Sequence, residues 1–425
     1  MDAQSNESAH HGYAAQLVPT DAQGSGWRIF FIVAGSLCGL PCFILSARVF
    51  RSLGVGEGLL AILVGAAISA MLGACSAFAG SRSRMGLAML ADDAFGPLGA
   101  RVVKLVIAVS LVGWFGVGIS VLGAAAAPAI GQLTGWDVPP LAIGLPVCIG
   151  IAAVTLFGAT GLERLGNVIV PTTALVLGIS VYLVAGRIGG IAAVMGSGEI
   201  DFAGAVSAIV GSYVVGIVIQ PDYGRFVRRP VWAAVGAGTA LGLAYPLIMI
   251  LSSIASLALG TTQLISAMTI LGFGLPALAV LLLGAWIDTS ACLYSASLSL
   301  ANQLPRFGFV TIVLFVTAIG IALVLAGADA VFVPFLVTLG IALPPLAAAL
   351  ILSSLWGRGT AQRKPAAAVI AWLFGSVIGL AAIRGALELT RMPTLDSILA
   401  AASAFGLVRL FEKRRTRTDP VPAEV

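Results

Sequence analysis

The sequence predicts an all-α integral membrane protein with twelve transmembrane helices, and three observations lead to this fold class. Of its 425 residues, 59% are hydrophobic and only 10% are charged, whereas about a quarter of the residues in an average soluble protein are charged. Apolar runs of 18 or more residues recur and strand-length alternation is absent, so the chain is predicted to cross the membrane as helices and not as a β-barrel. The basic residues, in addition, fall mainly on one predicted side of the membrane.

Twelve apolar segments are separated by polar or turn-rich breaks, and each has about the 20 residues that a helix needs to cross a bilayer. We number them as predicted spans 1 to 12, in chain order: residues 27–48, 57–79, 100–126, 139–158, 166–186, 203–221, 231–258, 275–300, 308–327, 330–355, 366–384 and 393–411. An even number of spans places both ends of the chain on the same side.

The distribution of lysine and arginine indicates which side that is, because cytoplasmic loops carry an excess of these residues. With the N-terminus inside, seventeen basic residues fall on the cytoplasmic side and five on the outer side, with Arg28 at the start of span 1. The inner group is Arg82, Arg84, Arg101, Lys104, Arg164, Arg225, Arg228, Arg229, Arg306, Arg358, Arg363, Lys364, Arg409, Lys413, Arg414, Arg415 and Arg417, and the outer group is Arg48, Arg51, Arg187, Arg384 and Arg391. Both termini are therefore predicted to be cytoplasmic, and topology explains the net charge of +5 without a nucleic-acid partner.

The two ends of the chain differ from the middle in composition. Residues 1–26 are polar and lack the basic start, apolar core and cleavage site of a signal peptide, so we predict a disordered cytoplasmic tail. Residues 27–384 are predicted to form the membrane core together with span 11, and residues 385–411 hold span 12. Residues 412–425 are predicted to be a basic cytoplasmic tail that anchors the chain at the membrane surface.

Cysteine and histidine usage argues against an intramembrane enzyme. All five cysteines lie in apolar runs, without the spacing of a metal site or a disulfide framework. The two histidines, His10 and His11, lie in the N-terminal tail, so a His-based catalytic set cannot form in the membrane. We therefore expect neither catalysis nor a bound cofactor.

Predicted span 8 carries an acidic residue, Asp288, near the middle of an apolar run. A charge at that depth costs several kcal/mol unless it is paired or protonated, so an intramembrane acid indicates a functional site. Trp114 in span 3 and Trp286 in span 8 also lie at mid-span, away from the interfaces that tryptophan prefers. These rings either pack in the core or line a site, and Asp288 either acts chemically or is a neutral acid bonded to frayed backbone.

Glycine and proline cluster at two corresponding points, which predicts two interrupted helices. Span 1 contains AGSLCGLPCF and span 6 contains GSYVVGIVIQPDYGRF, and both residue types weaken a helix. Spans 1 and 6 begin the two halves of a five-plus-five repeat, and interrupted helices in corresponding positions indicate the binding site of a secondary transporter. Spans 3 and 8 are equivalent in the same repeat. The alternative is that the small residues only allow helices to pack closely.

Four motifs give the chain a resemblance to a known family. They are VGWFGVGI (112–119) in span 3, PDYGRF (221–226) at the end of span 6, Trp286 with LYSASLSLAN (293–302) in span 8, and LADDAFG (90–96) before span 3. On these residues the sequence resembles the nucleobase:cation symporter-1 family, and within it the bacterial cytosine permeases. The resemblance implies a LeuT-like fold, an inverted repeat of five plus five helices followed by two C-terminal helices. It also implies alternating access around a site at mid-membrane, with residues 27–384 containing the transporter core.

The resemblance further implies where a ligand would stack. In this family a planar nucleobase lies between two aromatic rings, and the matching positions here are Trp114 and Tyr213. Stacking suits any flat heterocycle because each one has a π-face.

The polar contacts of the family are changed in this chain. Leu111 stands where cytosine permeases have an amide side chain, and Val215 stands where they have a hydroxyl. Because an unpaired polar group costs about 1–3 kcal/mol, we expect a heterocycle with fewer hydrogen-bonding edges than cytosine. Gly211, through its backbone, and Thr289 complete the predicted substrate-binding residues.

The coupling-ion site that the resemblance implies also departs from the family. Its members here are the backbone carbonyls of Gly35 and Cys38 in span 1, and Gly284, Ile287 and Asp288 in span 8. At the three span 8 positions the family has an amide and two hydroxyls, so two oxygen ligands are lost and one carboxylate is gained. One carboxylate and two carbonyls can still hold sodium, which prefers hard oxygen ligands, whereas a proton needs only one titratable group. We favour proton coupling, and sodium is the one metal ion that stays open.

The sequence thus predicts a secondary active transporter of the inner membrane that imports a nucleobase or a related planar nitrogen heterocycle by proton or sodium symport. Asp222 and Arg225, at the predicted cytoplasmic mouth, are expected to form a gate. The expected partners are the small heterocycle and the lipid bilayer, and we expect a monomer. Two alternatives stay open: an uncoupled facilitator of the same fold, and a channel or non-transporting sensor, although the rings of polar residues typical of a channel are not evident.

Overall fold

The computed structural model describes residues 16–156, 158–186, 196–261, 264–356, 365–387 and 389–418. Over these ranges the regular structure is helical, and the β structure there is limited to an isolated bridge between Gly24 and Val227. The all-α class predicted from the sequence is confirmed.

The first half of the membrane region contains several very long helices. Their bounds are α1 Trp27–Leu37, α2 Leu40–Ser83, α3 Leu87–Thr134, α4 Pro140–Thr155, α5 Gly158–Leu183 and α6 Phe202–Gly224. Within α2 and α3, Gly54 (φ 77°) and Gly96 (φ 68°) have a left-handed backbone, which glycine adopts without the steric cost of a Cβ atom. Each of these helices is therefore two segments joined at a glycine.

The second half is divided more finely. Its helices are α7 Pro230–Thr239, α8 Tyr245–Ala258, α9 Leu264–Ile270, α10 Gly274–Gln303, α11 Phe309–Leu325, α12 Phe332–Leu355, α13 Ala366–Ile383 and α14 Pro393–Thr418. A π-helical turn, Ala240–Ala244, joins α7 to α8, and a 3-10 turn, Ala328–Val331, precedes α12. Each predicted span overlaps at least one of these helices.

The helices have the length and apolar surface of a multi-pass membrane protein. In the described ranges, eight helical stretches are long and apolar enough to cross a membrane, and further apolar helices there are shorter. Large apolar side chains such as Leu98, Val109 and Leu314 are exposed on the outside of the helices, where contact with lipid would cover them.

Two helices form the centre of the packing. Helix α10 contacts α1, α3, α4 and α5, and α6 contacts α2, α3 and α12. Helices α13 and α14 pack mainly on each other and on α12, at the periphery. The site described below therefore lies among the central helices.

The interruption predicted in span 1 is confirmed. Helix α1 ends at Leu37, Gly39 is extended (φ −90°, ψ 164°), and α2 begins at Leu40. A helix that starts anew leaves its first backbone N–H groups without intrahelical acceptors. Such a break is tolerated at membrane depth only where it is buried in protein or lines a cavity.

The interruption predicted in span 6 is wrong, because α6 runs without a break from Phe202 to Gly224. Pro221 lies in the last turn of α6, where the loss of one backbone donor does not stop the helix. Gly216 has a packing role instead: a Cβ atom there would overlap the ring of Tyr213. Gly211 meets no neighbouring atom within 4 Å and is simply tolerated in the helix.

The ends of the chain are more ordered than the sequence predicts. Residues 1–15 and 419–425 lie outside the described residues, but residues 16–26, predicted as disordered, contain the 3-10 turn Thr20–Ala22. Val18 of this segment is fully buried against Phe226, and Gly24 forms the bridge to Val227. These contacts order the segment, although its polar composition did not indicate that it packs against the rest of the chain. At the other end α14 extends to Thr418, into the predicted tail.

Candidate functional site

A small cavity lies where the break between α1 and α2 faces α3, α6, α8 and α10. Its volume is about 40 Å³. It is lined by Ser36, Leu37, Gly39, Cys42, Trp114, Ser212, Tyr213, Val215, Gly216, Ile219, Tyr223, Tyr245, Asp288, Ala291 and Cys292. An apolar cavity of about 150 Å³ is known to hold benzene, so a nucleobase-sized ring can enter this one only if lining side chains move.

Both aromatic residues predicted to stack on a ligand line this cavity. Trp114 comes from α3 and Tyr213 from α6, and Trp114 is 7% exposed. The ring of Tyr213 lies 6.2 Å from that of Tyr245, measured between centroids, with the two planes tilted by 44°. Val215, one of the replaced polar positions, also lines the cavity.

The acid predicted from its depth in span 8 lies in the same cavity. The indole N–H of Trp114 donates a hydrogen bond of 3.2 Å to the Oδ2 atom of Asp288. Asp288 is thus partnered by a side chain of another helix, and the predicted stacking ring and the predicted coupling acid are in direct contact. Trp286, in contrast, packs against Gly150 of α4, where an added Cβ would lie 2.6 Å from the ring.

The residues predicted for the coupling ion also come together, at the contact between α1 and α10. Gly284 packs against the carbonyl of Cys38 so closely that a Cβ atom on Gly284 would overlap it, and Gly35 packs against the side chain of Ile287. The carbonyl of Gly35 accepts the N–H of Cys38 at 3.1 Å. The described residues hold no cluster of three or more His, Cys, Asp or Glu side chains.

Three of the predicted substrate-binding residues do not line the cavity. Leu111 is fully buried in the apolar core, Gly211 is not part of the lining, and Thr289 donates its hydroxyl to the Ala285 carbonyl within its own helix. These residues lie away from the cavity because of their helix positions, since each residue step turns the side chain by about 100° around the helix axis. Thr289 is turned away from its neighbour Asp288, Gly211 lies two positions from Tyr213 on the far side of α6, and Leu111 lies almost one turn below Trp114.

Several lining residues were not predicted. Ser36 lies in the last turn of α1, before the break, and Ser212 is the neighbour of Tyr213. Both are hydroxyl residues within apolar spans, and this could have identified them from the sequence. Tyr245 and Tyr223 carried no such signal. Tyr245 follows the π-helical turn, a feature that the sequence does not reveal.

The two predicted gate residues, Asp222 and Arg225, lie at the C-terminal end of α6. The predicted topology places this end on the cytoplasmic side. Asp222 is 1% exposed and accepts the N–H of Leu87 at 2.8 Å. Arg225 is fully buried, and its Nη2 donates to the hydroxyl of Tyr294 at 3.2 Å. The Nε atom of Arg225 donates to the backbone carbonyl of Asp222 at 3.2 Å.

The N-terminal segment covers this end of α6. The side chain of Gln23 donates to the carbonyl of Arg225 at 2.9 Å, and the N–H of Gly24 donates to the carbonyl of Phe226 at 2.7 Å. Arg28 forms an ion pair of 2.6 Å with Glu163 and lies over the ring of Phe226. Arg225 is thus hydrogen-bonded to the segment before α1, and its neighbour Phe226 contacts both that segment and the first turn of α1.

Comparison with known proteins places these features in a wider group. The family described as "Permease for cytosine/purines, uracil, thiamine, allantoin" matches residues 18–365. The cytosine permease of Escherichia coli (strain K12) is 29% identical over 303 residues, which cover 69% of this chain and 70% of the permease. Cytosine permeases of two further Escherichia coli strains match equally well.

Two solved structures share the fold. Mhp1, a nucleobase-cation-symport-1 family transporter in a closed conformation with bromovinylhydantoin bound, is 20% identical, with a TM-score of 0.74 over 94% of this chain and 95% of its own. A Na⁺-coupled sialic acid symporter in a substrate-bound outward-open state is 10% identical, with a TM-score of 0.67 over 96% of this chain and 95% of its own. At these identities the likeness concerns the fold.

Proposed function

Since this chain belongs to the family of permeases for cytosine and purines, uracil, thiamine and allantoin, which are transporters and not enzymes, we propose that it imports a planar nitrogen heterocycle by cation symport. The observation that carries the proposal is the hydrogen bond between Trp114 and Asp288. It joins a ring suited to stacking and an acid suited to carrying a proton, at one cavity in the middle of the fold.

Trp114 and Tyr213 are the proposed stacking rings. Both line the cavity from facing helices, and stacking one base on an aromatic ring contributes about 1–3 kcal/mol. The related proteins support the ligand class, because their names give cytosine for the permeases and bromovinylhydantoin for Mhp1. The cavity, about 40 Å³ in volume, is smaller than such a ring, so import requires the rings to part and reclose by alternating access.

Asp288 is the proposed coupling group. An ionised carboxylate accepts the indole N–H of Trp114 more strongly than a neutral acid does. Protonation of Asp288 would therefore loosen Trp114 and allow its ring to adjust to a ligand. Sodium is the alternative coupling ion, and it would bind between Asp288 and the carbonyls of Gly35 and Cys38, where α1 touches α10.

The remaining assignments follow from the same proposal. The chain would cross the inner membrane twelve times as a monomer, with both termini in the cytoplasm and with helices α1 to α12, which cover predicted spans 1 to 10, containing the inverted repeat. Asp222 and Arg225, covered by residues 16–26, would close the cytoplasmic side. Release of a ligand to the cytoplasm would then require these contacts to open.

The proposal is tested by thermal unfolding of the purified protein with nucleobases, hydantoins and pyrimidine vitamin precursors, at two pH values, with and without sodium. A ligand at 100 times its Kd stabilises the folded state by about 2.7 kcal/mol, which is readily measured. At least one heterocycle should raise the unfolding temperature of the wild type and leave that of Trp114→Ala unchanged. Absence of stabilisation by every heterocycle under every condition would refute the proposed ligand class.

A further inference from the structure

Tyr245 reaches the cavity from an unusual backbone feature. It is the first residue of α8 and follows the π-helical turn Ala240–Ala244, and its side chain is 1% exposed and part of the cavity lining. π-Helical turns are rare and are frequently found at functional sites. Here the turn sets the direction in which α8 presents its first side chain.

The hydroxyl of Tyr245 belongs to a closed set of three hydrogen bonds with α6. It donates to the carbonyl of Ile209 at 3.0 Å, the hydroxyl of Ser212 can donate to the same carbonyl at 3.0 Å, and the two hydroxyl oxygens lie 2.9 Å apart. Ser212 also lines the cavity. A Ser or Tyr hydroxyl has one proton to donate and lone pairs with which to accept.

The number of hydroxyl protons in this set decides whether it can donate a hydrogen bond to a ligand. Both hydroxyls can donate to the Ile209 carbonyl, which has two lone pairs, or one of them donates to Ile209 and the other donates to its partner hydroxyl. Each of these arrangements uses both hydroxyl protons inside the protein. What remains for a ligand is oxygen lone pairs, which only accept.

Three further polar groups of the cavity also have their protons bonded within the protein. The hydroxyl of Ser36 donates to the Ile32 carbonyl at 2.9 Å, and that of Tyr223 donates to the Ala291 carbonyl at 3.4 Å. The N–H of Trp114 is directed to Asp288. The protons of Ser36, Tyr223 and Trp114 are therefore already bonded within the protein, and the two hydroxyl oxygens can still accept a hydrogen bond from a ligand.

We propose that Tyr245 is a specificity-determining residue: it holds the Ser212 proton within the wall, so that the ligand must turn a ring N–H or amino group toward this side. The inference rests on the proposed import of a nitrogen heterocycle and narrows its class to heterocycles with a free N–H donor. An N-alkylated form that lacks the donor facing this side should bind more weakly, because it leaves a buried acceptor without the ligand's hydrogen bond. In Tyr245→Phe the Ser212 hydroxyl is free to swing from Ile209 to a ligand acceptor, and this discrimination relaxes.

The test compares cytosine, uracil and hydantoin with their singly N-methylated forms, by thermal unfolding and competition binding on the purified full-length protein. For a parent compound that binds the wild type, at least one N-methyl form should bind roughly 5- to 150-fold more weakly, the cost of leaving a buried polar group unpaired. Tyr245→Phe and Ser212→Ala should each reduce that ratio, by roughly 2- to 13-fold, the contribution of one hydrogen bond. Ser207→Ala, the same change on α6 but outside the cavity, should leave the ratio unchanged.

The ratio separates a specificity role from a structural one. If Tyr245→Phe weakens parent and N-methyl forms equally, Tyr245 only supports the fold and the inference is wrong. If every N-methyl form binds the wild type as well as its parent, the inference is wrong while the proposed function stands. If none of the three parents nor any methylated form binds the wild type, the proposed function fails for these ligands and the inference fails with it.

Discussion

The indole N–H of Trp114 on α3 donates a hydrogen bond of 3.2 Å to the carboxylate of Asp288 on α10. This contact spans the two helices on either side of the cavity and links the proposed stacking ring to the proposed coupling acid. A change in the protonation of Asp288 would alter the position of the Trp114 ring, and a ligand that moves the ring would alter the environment of the acid. Under the proposed function, ligand binding and ion binding would be coupled through this one hydrogen bond.

Two substitutions of Trp114 separate its ring from its N–H group. Trp114→Ala removes both and should weaken ligand binding about 5- to 150-fold, since one stacked base is worth about 1–3 kcal/mol. Trp114→Phe keeps an aromatic face but has no N–H to donate to Asp288. This variant should therefore retain more of the ligand affinity than Trp114→Ala, and its affinity should no longer depend on pH. Equilibrium binding across a pH series measures both effects. Trp286→Phe, at a ring that packs outside the cavity, is the control, and equal affinity of Trp114→Ala and wild type would contradict the assignment.

The packing around Gly284, at the contact between α1 and α10, and around Gly211, on α6, predicts opposite effects of an alanine at the two positions. In Gly284→Ala the new Cβ would overlap the Cys38 carbonyl, and overpacking of this kind costs about 1–3 kcal/mol. In Gly211→Ala the new Cβ meets no atom within 4 Å, and replacing a helical glycine stabilises by up to about 1 kcal/mol. Thermal unfolding of the two purified variants should therefore shift in opposite directions. A Gly284→Ala protein as stable as the wild type would show that this contact is loose.

The ion pair between Arg28 and Glu163 should stabilise the closed cytoplasmic side. Their side chains are 17% and 29% exposed, so the pair itself contributes at most about 1 kcal/mol, which is enough to shift a balance between two conformations. A cysteine reporter at Ser295, fully buried and next to Tyr294, should react faster with a thiol reagent in Arg28→Glu than with Arg28 intact. The exchanged pair, Arg28→Glu with Glu163→Arg, should return the rate toward its starting value. Equal rates in all three backgrounds would argue against a gating role.

The proposed topology follows from the seventeen-to-five distribution of basic residues. Reporter domains fused after residues 135, 229 and 412 should be found outside, inside and inside, respectively. A periplasmic reporter at residue 412 would refute the proposal of twelve crossings with both ends in the cytoplasm.

Much of the fold was predictable because apolar length and charge bias are properties of single segments. The helices overlap the predicted spans, and the break after Leu37 follows from a local cluster of glycine and proline. The break predicted in span 6 failed on the same reasoning, since Gly216 makes room for the ring of Tyr213. Whether a glycine interrupts a helix or accommodates a neighbour depends on what packs against it, which composition does not reveal.

The candidate site was predictable where a residue was unusual for its depth. Trp114 and Asp288 were singled out as a ring and an acid at mid-span, and they meet in the structure. Thr289, also predicted to bind substrate, does not line the cavity, because the step of about 100° from Asp288 turns its side chain away. Tyr245 was missed because its position depends on a π-helical turn.

The proposed coupling of transport to an ion gradient by Asp288 is tested with the Asp288→Asn variant in reconstituted vesicles. Asparagine keeps the shape of aspartate and can accept the Trp114 N–H, but it cannot carry a proton or a negative charge. Uptake is followed with a heterocycle that binds the wild type, under an imposed proton gradient, an imposed sodium gradient, or neither. Asp288→Asn should still bind and exchange this heterocycle but no longer accumulate it against its gradient, whichever ion drives the wild type. Accumulation by Asp288→Asn at the wild-type rate and to the wild-type level would refute a coupling role and leave Asp288 a packing residue.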